Sequence, residues 1–154
     1  MDLQALTDFI VRAKAASYVG NGERAPSSRS SSHDLRYQDG AWSYLDSYFG
    51  GRDFIGEEVV FLNDNAVWAM NYYGRILRAD LITPTQAGQV IKASLSKMYA
   101  ESRFLGGFEN QVESFVYIDT SDGDTACFRG REIILRGEDI TYELLYHGGV
   151  IKDE

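Results

Sequence analysis

The chain has 154 residues, the size of a single domain, with one cysteine and a formal net charge of -8. That length lets a fold bury about two-thirds of the surface its unfolded chain exposes, while the lone Cys127 excludes an intramolecular disulfide and points to a reducing compartment. The negative charge sets the chain against DNA or RNA, whose affinity comes mostly from phosphates neutralised by Lys and Arg, and the strand-sized apolar runs exclude a membrane span.

Leu3, Leu6, Phe9, Ile10 and Ala13 recur at helical spacing, with Asp2, Gln4, Asp8, Arg12 and Lys14 on the other side. This pattern predicts an amphipathic helix over 3–17, capped by Asp2, and no charged-then-apolar export leader before it. Residues 20–32 are polar and small, with Pro26 and five serines around Arg24 and Arg29, so a mobile loop within one domain is expected there. Strands are predicted at 33–38 and 41–49 around Asp39-Gly40, a dipeptide suited to a tight turn, and at 54–62 and 66–75 around Asn63, Asp64 and Asn65. Thr83, Pro84 and Gln86 supply an N-cap, a first-turn proline and a capping-box partner for a second helix over 84–100. Its apolar stripe is Ala87, Val90, Ile91, Leu95 and Met98. Strands at 112–119, 126–136 and 139–147 complete the pattern. The reading is one α+β domain, 1–154, with an antiparallel, strongly curved sheet of about seven strands packed by two helices.

Four blocks in order, YFGGRDFIGEEVV from Tyr48 to Val60, WAMNYYGR from Trp68 to Arg75, FLGGFE from Phe104 to Glu109, and YHGG from Tyr146 to Gly149, carry a resemblance. Together they resemble an uncharacterised bacterial domain of unknown function, whose members occur alone or C-terminal to XRE-type helix-turn-helix regulators. The resemblance implies no particular chemistry; the fused arrangement implies a sensory or partner-binding role. Only one short helix precedes the strands here, so the DNA-binding part of the fused relatives is not expected in this chain.

Turn spacing gives the candidate site residues. With Asp39-Gly40 as the turn, Tyr37 falls opposite Trp42, Leu35 opposite Tyr44 and His33 opposite Asp46, an aromatic face ending in a His–Asp pair. With Asp64-Asn65 as the next turn, Phe61 faces Trp68, Val59 faces Met70 and Glu57 faces Tyr72, so Glu57 shares the apolar face and needs a partner. A Gly137-Glu138 turn puts Arg131 and Ile133 on one face with Tyr142 and Leu144, and sets Glu132 against Glu143. That opposition signals a register error or a cation between the acids. Arg131 is expected to reach inward and be held by Glu57 or Glu109, since a buried guanidinium needs acceptors. Tyr146 and His147 complete the expected ligand-binding set of Trp42, Tyr44, Asp46, Glu57, Trp68, Tyr72, Glu109 and Arg131.

No phosphate-loop glycine pattern is present, Asp119, Asp122 and Asp124 lack calcium-loop spacing, and two scattered histidines give no zinc site. No cofactor or metal is therefore implied. The leading reading is a cytoplasmic module binding a small molecule or a protein, without nucleic acid or membrane contact and compatible with a homodimer. The alternatives are an acid-base hydrolase or lyase using Asp46, Glu57 or His33, and a structural or dimerisation domain.

Overall fold

In the computed structural model, which describes residues 1–19 and 22–153, the first apolar stripe forms helix α1 (Leu3–Lys14). The Asp2 carboxylate accepts a hydrogen bond from Gln4 N there, satisfying one of the unpaired amides of a first turn. The α-helix ends at Lys14, short of the expected residue 17, and passes into a π-helical turn, Ala15–Val19. Lys14 is buried with Leu6, Ile10 and Ala13, although its charge placed it on the expected polar side.

Nine strands follow: β1 (Glu23–Ala25), β2 (His33–Asp39), β3 (Trp42–Gly50), β4 (Phe54–Leu62), β5 (Asn65–Ile76), β6 (Phe108–Val112), β7 (Phe115–Asp124), β8 (Cys127–Arg136) and β9 (Asp139–Val150). Helix α2 (Pro84–Ala100) lies between β5 and β6, opened by the Thr83–Gln86 capping box that the sequence predicts. The strands form one open antiparallel sheet ordered β1-β2-β3-β4-β5-β9-β8-β7-β6. Two meanders are thus joined side by side along β5 and β9.

The two strands beyond the expected seven are β1 and β6. β6 escaped notice because its turn to β7 runs through Glu113, at φ 54, with no glycine to mark it. β1 falls inside the segment expected to be a mobile loop. There, Ser28 N donates to Asp34 at 3.0 Å, and the Ser32 and Ser47 hydroxyls donate to its other oxygen at 2.7 and 2.9 Å. Burial pushes the Asp34 pKa up, but the bonds from Ser28, Ser32 and Ser47 outweigh it and hold the carboxyl below its ordinary value. These bonds tie the segment to the start of β2 and to β3. Gly20 and Asn21 of the same segment lie outside the described residues.

Two turns sit one residue away from the expected positions. Gly40-Ala41 joins β2 to β3, so Tyr37 lies opposite Tyr44 and His33 opposite Tyr48, not Asp46. Asn63-Asp64, at φ 49 and 63, joins β4 to β5, and a bulge follows between Val60 and Phe61. The net slip of one residue turns Glu57 outward and Glu58 inward. In β8–β9 the expected Gly137-Glu138 turn is present, but a bulge after Ile134 sets Glu132 opposite Leu144 and Ile133 opposite Glu143. The expected opposition of Glu132 and Glu143 is thereby removed, and Arg131 faces away from the core.

Both helices pack on the sheet face that carries Trp42, Tyr44, Trp68, Tyr72 and Tyr146. Phe9 of α1 stacks on Trp42 at 5.4 Å, and Trp68 stacks on Phe128 at 5.7 Å with Phe104 edge-on. On the outer face Ile55, Tyr73 and Leu145 are cross-strand neighbours and exposed.

Candidate functional site

Alternation along the strands lays transverse rows of side chains across the inner face. One row runs Asp46, Glu58, Met70; the next runs Tyr48, Gly56, Tyr72, Tyr146, Gly130; a third runs Phe54, Gly74, Leu144, Glu132, Asp119. Two carboxylate pairs, Asp46 opposite Glu58 and Asp119 opposite Glu132, therefore flank a row of tyrosines. Directly opposed like charges weaken a sheet, and these four are buried at 1%, 0%, 4% and 8% exposure. Such an arrangement needs compensating donors or a counter-charge.

Between this face and the helices lies a cavity of about 410 Å³. It is lined by the four acids, by Tyr72, Tyr117, Tyr142 and Tyr146, and by Lys14, Ser17 and Tyr18 from the end of α1 and the π-turn. Its exposed lining residues are Gly50 at the end of β3, Gly51 and Arg52 just after it, and Pro84, Gly88 and Lys92 on α2, so the mouth opens between that turn and the first half of α2.

Each acid has its own support. Lys14 Nζ lies 2.7 Å from Glu58 Oε2, though at an angle poor for a hydrogen bond, so neither Glu58 oxygen has a well-aligned donor. The Tyr72 hydroxyl donates to Asp46 at 2.7 Å, the Tyr146 hydroxyl to Asp119 at 2.8 Å, and the Tyr117 hydroxyl to Glu132. Burial, reinforced by the Glu58 charge, pushes the Asp46 pKa up to about 7 against the pull of Tyr72 and Lys14. Burial pushes Glu132 up to about 7 despite the bond from Tyr117, and Asp119 up to about 6 despite the bond from Tyr146. Burial, then the neighbouring carboxyls Asp46 and Asp119, raise the phenols of Tyr72 and Tyr146 far above their ordinary value, which keeps them donors. Asp119 Oδ2, Tyr142 OH and Ser17 Oγ have no hydrogen-bond partner among the described residues. Near neutrality the cavity can take up a proton or accept a donor-rich group.

Of the ten residues read from the sequence as ligand-binding, Asp46, Tyr72 and Tyr146 line this cavity. Trp42, Tyr44 and Trp68 are packed into the core, with Trp68 Nε1 donating to Thr125 O at 3.0 Å. Glu57 lies on the outer face opposite Ser47 and Asn71, and Glu109 is exposed on the edge strand β6. Arg131 does not reach inward to Glu57 or Glu109. Its side chain is 43% exposed and pairs with Glu143 at 2.7 Å, as the β8–β9 bulge requires. His147 is exposed on the same outer face, and His33 lies exposed against Tyr48, so Asp46, Glu57 and His33 do not share a site. Cys127 lies in a strand, as the run 126–136 predicts, and is exposed at the first position of β8.

Lys14, Glu58, Asp119 and Glu132 were missed. Lys14 carried a signal, since it continues the i, i+4 line of Leu6 and Ile10; Glu58 and Glu132 could be reached only through bulges that spacing does not show, and Asp119 only through its pairing with Glu132. Among the described residues no three His, Cys, Asp or Glu side chains are grouped so as to hold a metal ion. No helix among them is long and apolar enough to cross a membrane. No curated protein and no solved structure matches the chain. The two acid pairs all fall within residues 46–151, the span matched by the family described as Domain of unknown function (DUF5680), and the chain belongs to that family.

Proposed function

We propose that the protein binds a small organic molecule in the cavity between its helices and its sheet, as a sensory module of a bacterial, cytoplasmic protein. The observation that carries this reading is the lining of the cavity. Buried polar groups are as a rule paired, yet Asp119, Glu58, Tyr142 and Ser17 keep unused hydrogen-bonding capacity around about 410 Å³ of space. Aromatic walls with a few converging polar groups are the usual make-up of a small-molecule pocket, and this volume falls in the usual range. A sheet strongly curved around the helices belongs to the same reading. The resemblance to domains that follow XRE-type regulators favours sensing, with a protein partner or a second copy reading the occupied state.

A thermal-shift screen against a metabolite library tests this, because a ligand at about 100 times its dissociation constant adds roughly 2.7 kcal/mol of stability. Gly88→Trp supplies the control at the mouth, where an added Cβ meets nothing within 4 Å. At least one metabolite should stabilise the wild type and fail to stabilise Gly88→Trp. A screen without hits, or hits indifferent to Gly88→Trp, overturns the reading.

Acid-base catalysis is the second reading, and the pKa values of Asp46 and Glu132, about 7 each, favour it, since proton transfer is most efficient near the working pH. Glu57 and His33 have no part in it. Conversion of a hit by the wild type, with Asp46→Asn binding but not converting it, would establish catalysis.

A further inference from the structure

The two opposed acid pairs differ in one respect. Lys14 supplies a cation to the first, 2.7 Å from Glu58 and within 5.6 Å of the Phe104 ring centroid and 6.0 Å of that of Tyr18. The Asp119–Glu132 pair has no such partner among the described residues. Arg103 and, more weakly, Lys14 favour the charged form of Asp119, and Lys14 does the same for Glu132, but neither cation forms an ion pair with these acids among the described residues; Arg103 is committed to Glu101 and to the carbonyl oxygens of Leu105 and Gly107. Arg131, adjacent to Glu132 in the chain, points to the other face and holds Glu143. Arg52 and Lys92 stand exposed at the mouth. What the pair presents to the cavity is acceptor capacity: Asp119 Oδ2 is unpaired on a side chain only 4% exposed, and the Tyr117 and Tyr146 hydroxyls are already engaged as donors.

We infer that the Asp119–Glu132 pair seats the positively charged end of the ligand, a primary ammonium or an amidinium group. The inference rests on the binding reading above and adds the chemical class. A donor-only head group matches a wall of acceptors, whereas a carboxylate or phosphate would meet the oxygens of two acids. Tyrosine rings beside the pair add cation–π attraction. Lys14 is the internal precedent, an ammonium held between a carboxylate and aromatic rings on the other half of the same cavity. The head group is organic because the acids are not clustered for metal coordination.

The test is a fragment set of size-matched trios, each a primary amine or amidine, the corresponding alcohol and the corresponding carboxylate; benzylamine, benzyl alcohol and benzoate form one trio. Thermal shift and calorimetry are read on the wild type, on Asp119→Asn, on Glu132→Gln, and on Glu143→Gln of the outer face. Cations should dominate the hits, and their affinity should fall at least tenfold in Asp119→Asn and Glu132→Gln but not in Glu143→Gln. Two isosteric neutral variants keep the test open if one fails to fold. Hits spread evenly over the trios, or concentrated in alcohols or carboxylates, overturn the cationic assignment and leave the binding reading standing. Cationic hits indifferent to both variants overturn the placement. No hits in any class overturn both readings.

Discussion

Lys14 and Glu58 are both withdrawn from water, at 4% and 0% side-chain exposure, with Asp46 directly opposite Glu58 on the sheet. Moving an ion into a protein interior costs several kcal/mol, and the attraction between partners repays this only while both are present. Lys14→Met should therefore lower stability by about 3–5 kcal/mol, because it leaves two opposed acids with no cation between them. The double variant Lys14→Met/Glu58→Met, which replaces the pair by apolar side chains of similar volume, should recover most of that loss. Denaturant midpoints of the wild type and the two variants decide it; a Lys14→Met protein as stable as the wild type would mean that Glu58 needs no counter-charge. The helical line Leu6, Ile10, Lys14 made this lysine legible in the sequence. Its partner was not, because Glu57 and Glu58 are adjacent and only the register says which one enters.

The strands hold the acids in place through a repeated device, a tyrosine leaning over a glycine on the next strand. Tyr72 covers Gly56 and Tyr146 covers Gly130, and a Cβ on either glycine would collide with the ring or hydroxyl. Gly130→Ala should push Tyr146 off Asp119 and cost roughly 1–3 kcal/mol, the usual penalty for overpacking. Gly88→Ala, in open space on α2, should be neutral or stabilising, since alanine favours a helix. Equal melting of Gly130→Ala and the wild type would show that Tyr146 is not seated by the glycine. At this scale the sequence is legible where a local signal sets an element, as in the capped helix α2 and the presence of the β-hairpins. It is not legible where one residue decides a face. The β4–β5 turn moved by one position and bulges broke the alternation in β5 and β9, which exchanged Glu57 for Glu58 and Arg131 for Glu132. No propensity in a single strand encodes a bulge; cross-strand packing selects it.

Taken over the whole molecule, the buried acids set how stability varies with pH. The folded pKa values of Asp46, Asp119 and Glu132 are about 7, 6 and 7, against about 4 for these groups in an unfolded chain. Raised values mean that the folded state binds more protons than the unfolded state across that interval, so stability falls as pH rises through it. Each unit of difference corresponds to about 1.4 kcal/mol. Asp34 and Glu143 act in the opposite sense. Hydrogen bonding and ion pairing hold them low, and what they contribute is lost only as pH falls through those lowered values. The unliganded protein should therefore be several kcal/mol more stable at about pH 5.5 than at about pH 8. Asp119→Asn and Glu132→Gln should each flatten the slope, because a side chain that cannot ionise contributes none. Urea titrations across that range give the measurement; a flat or rising profile in the wild type would mean that the acids stay ionised in the fold. The affinity of a cationic occupant has the opposite dependence, since it binds the ionised pair and must displace any proton held there. Benzylamine affinity should strengthen as pH rises over the same interval in which the empty protein weakens, so the occupied and empty forms differ most in stability at the alkaline end.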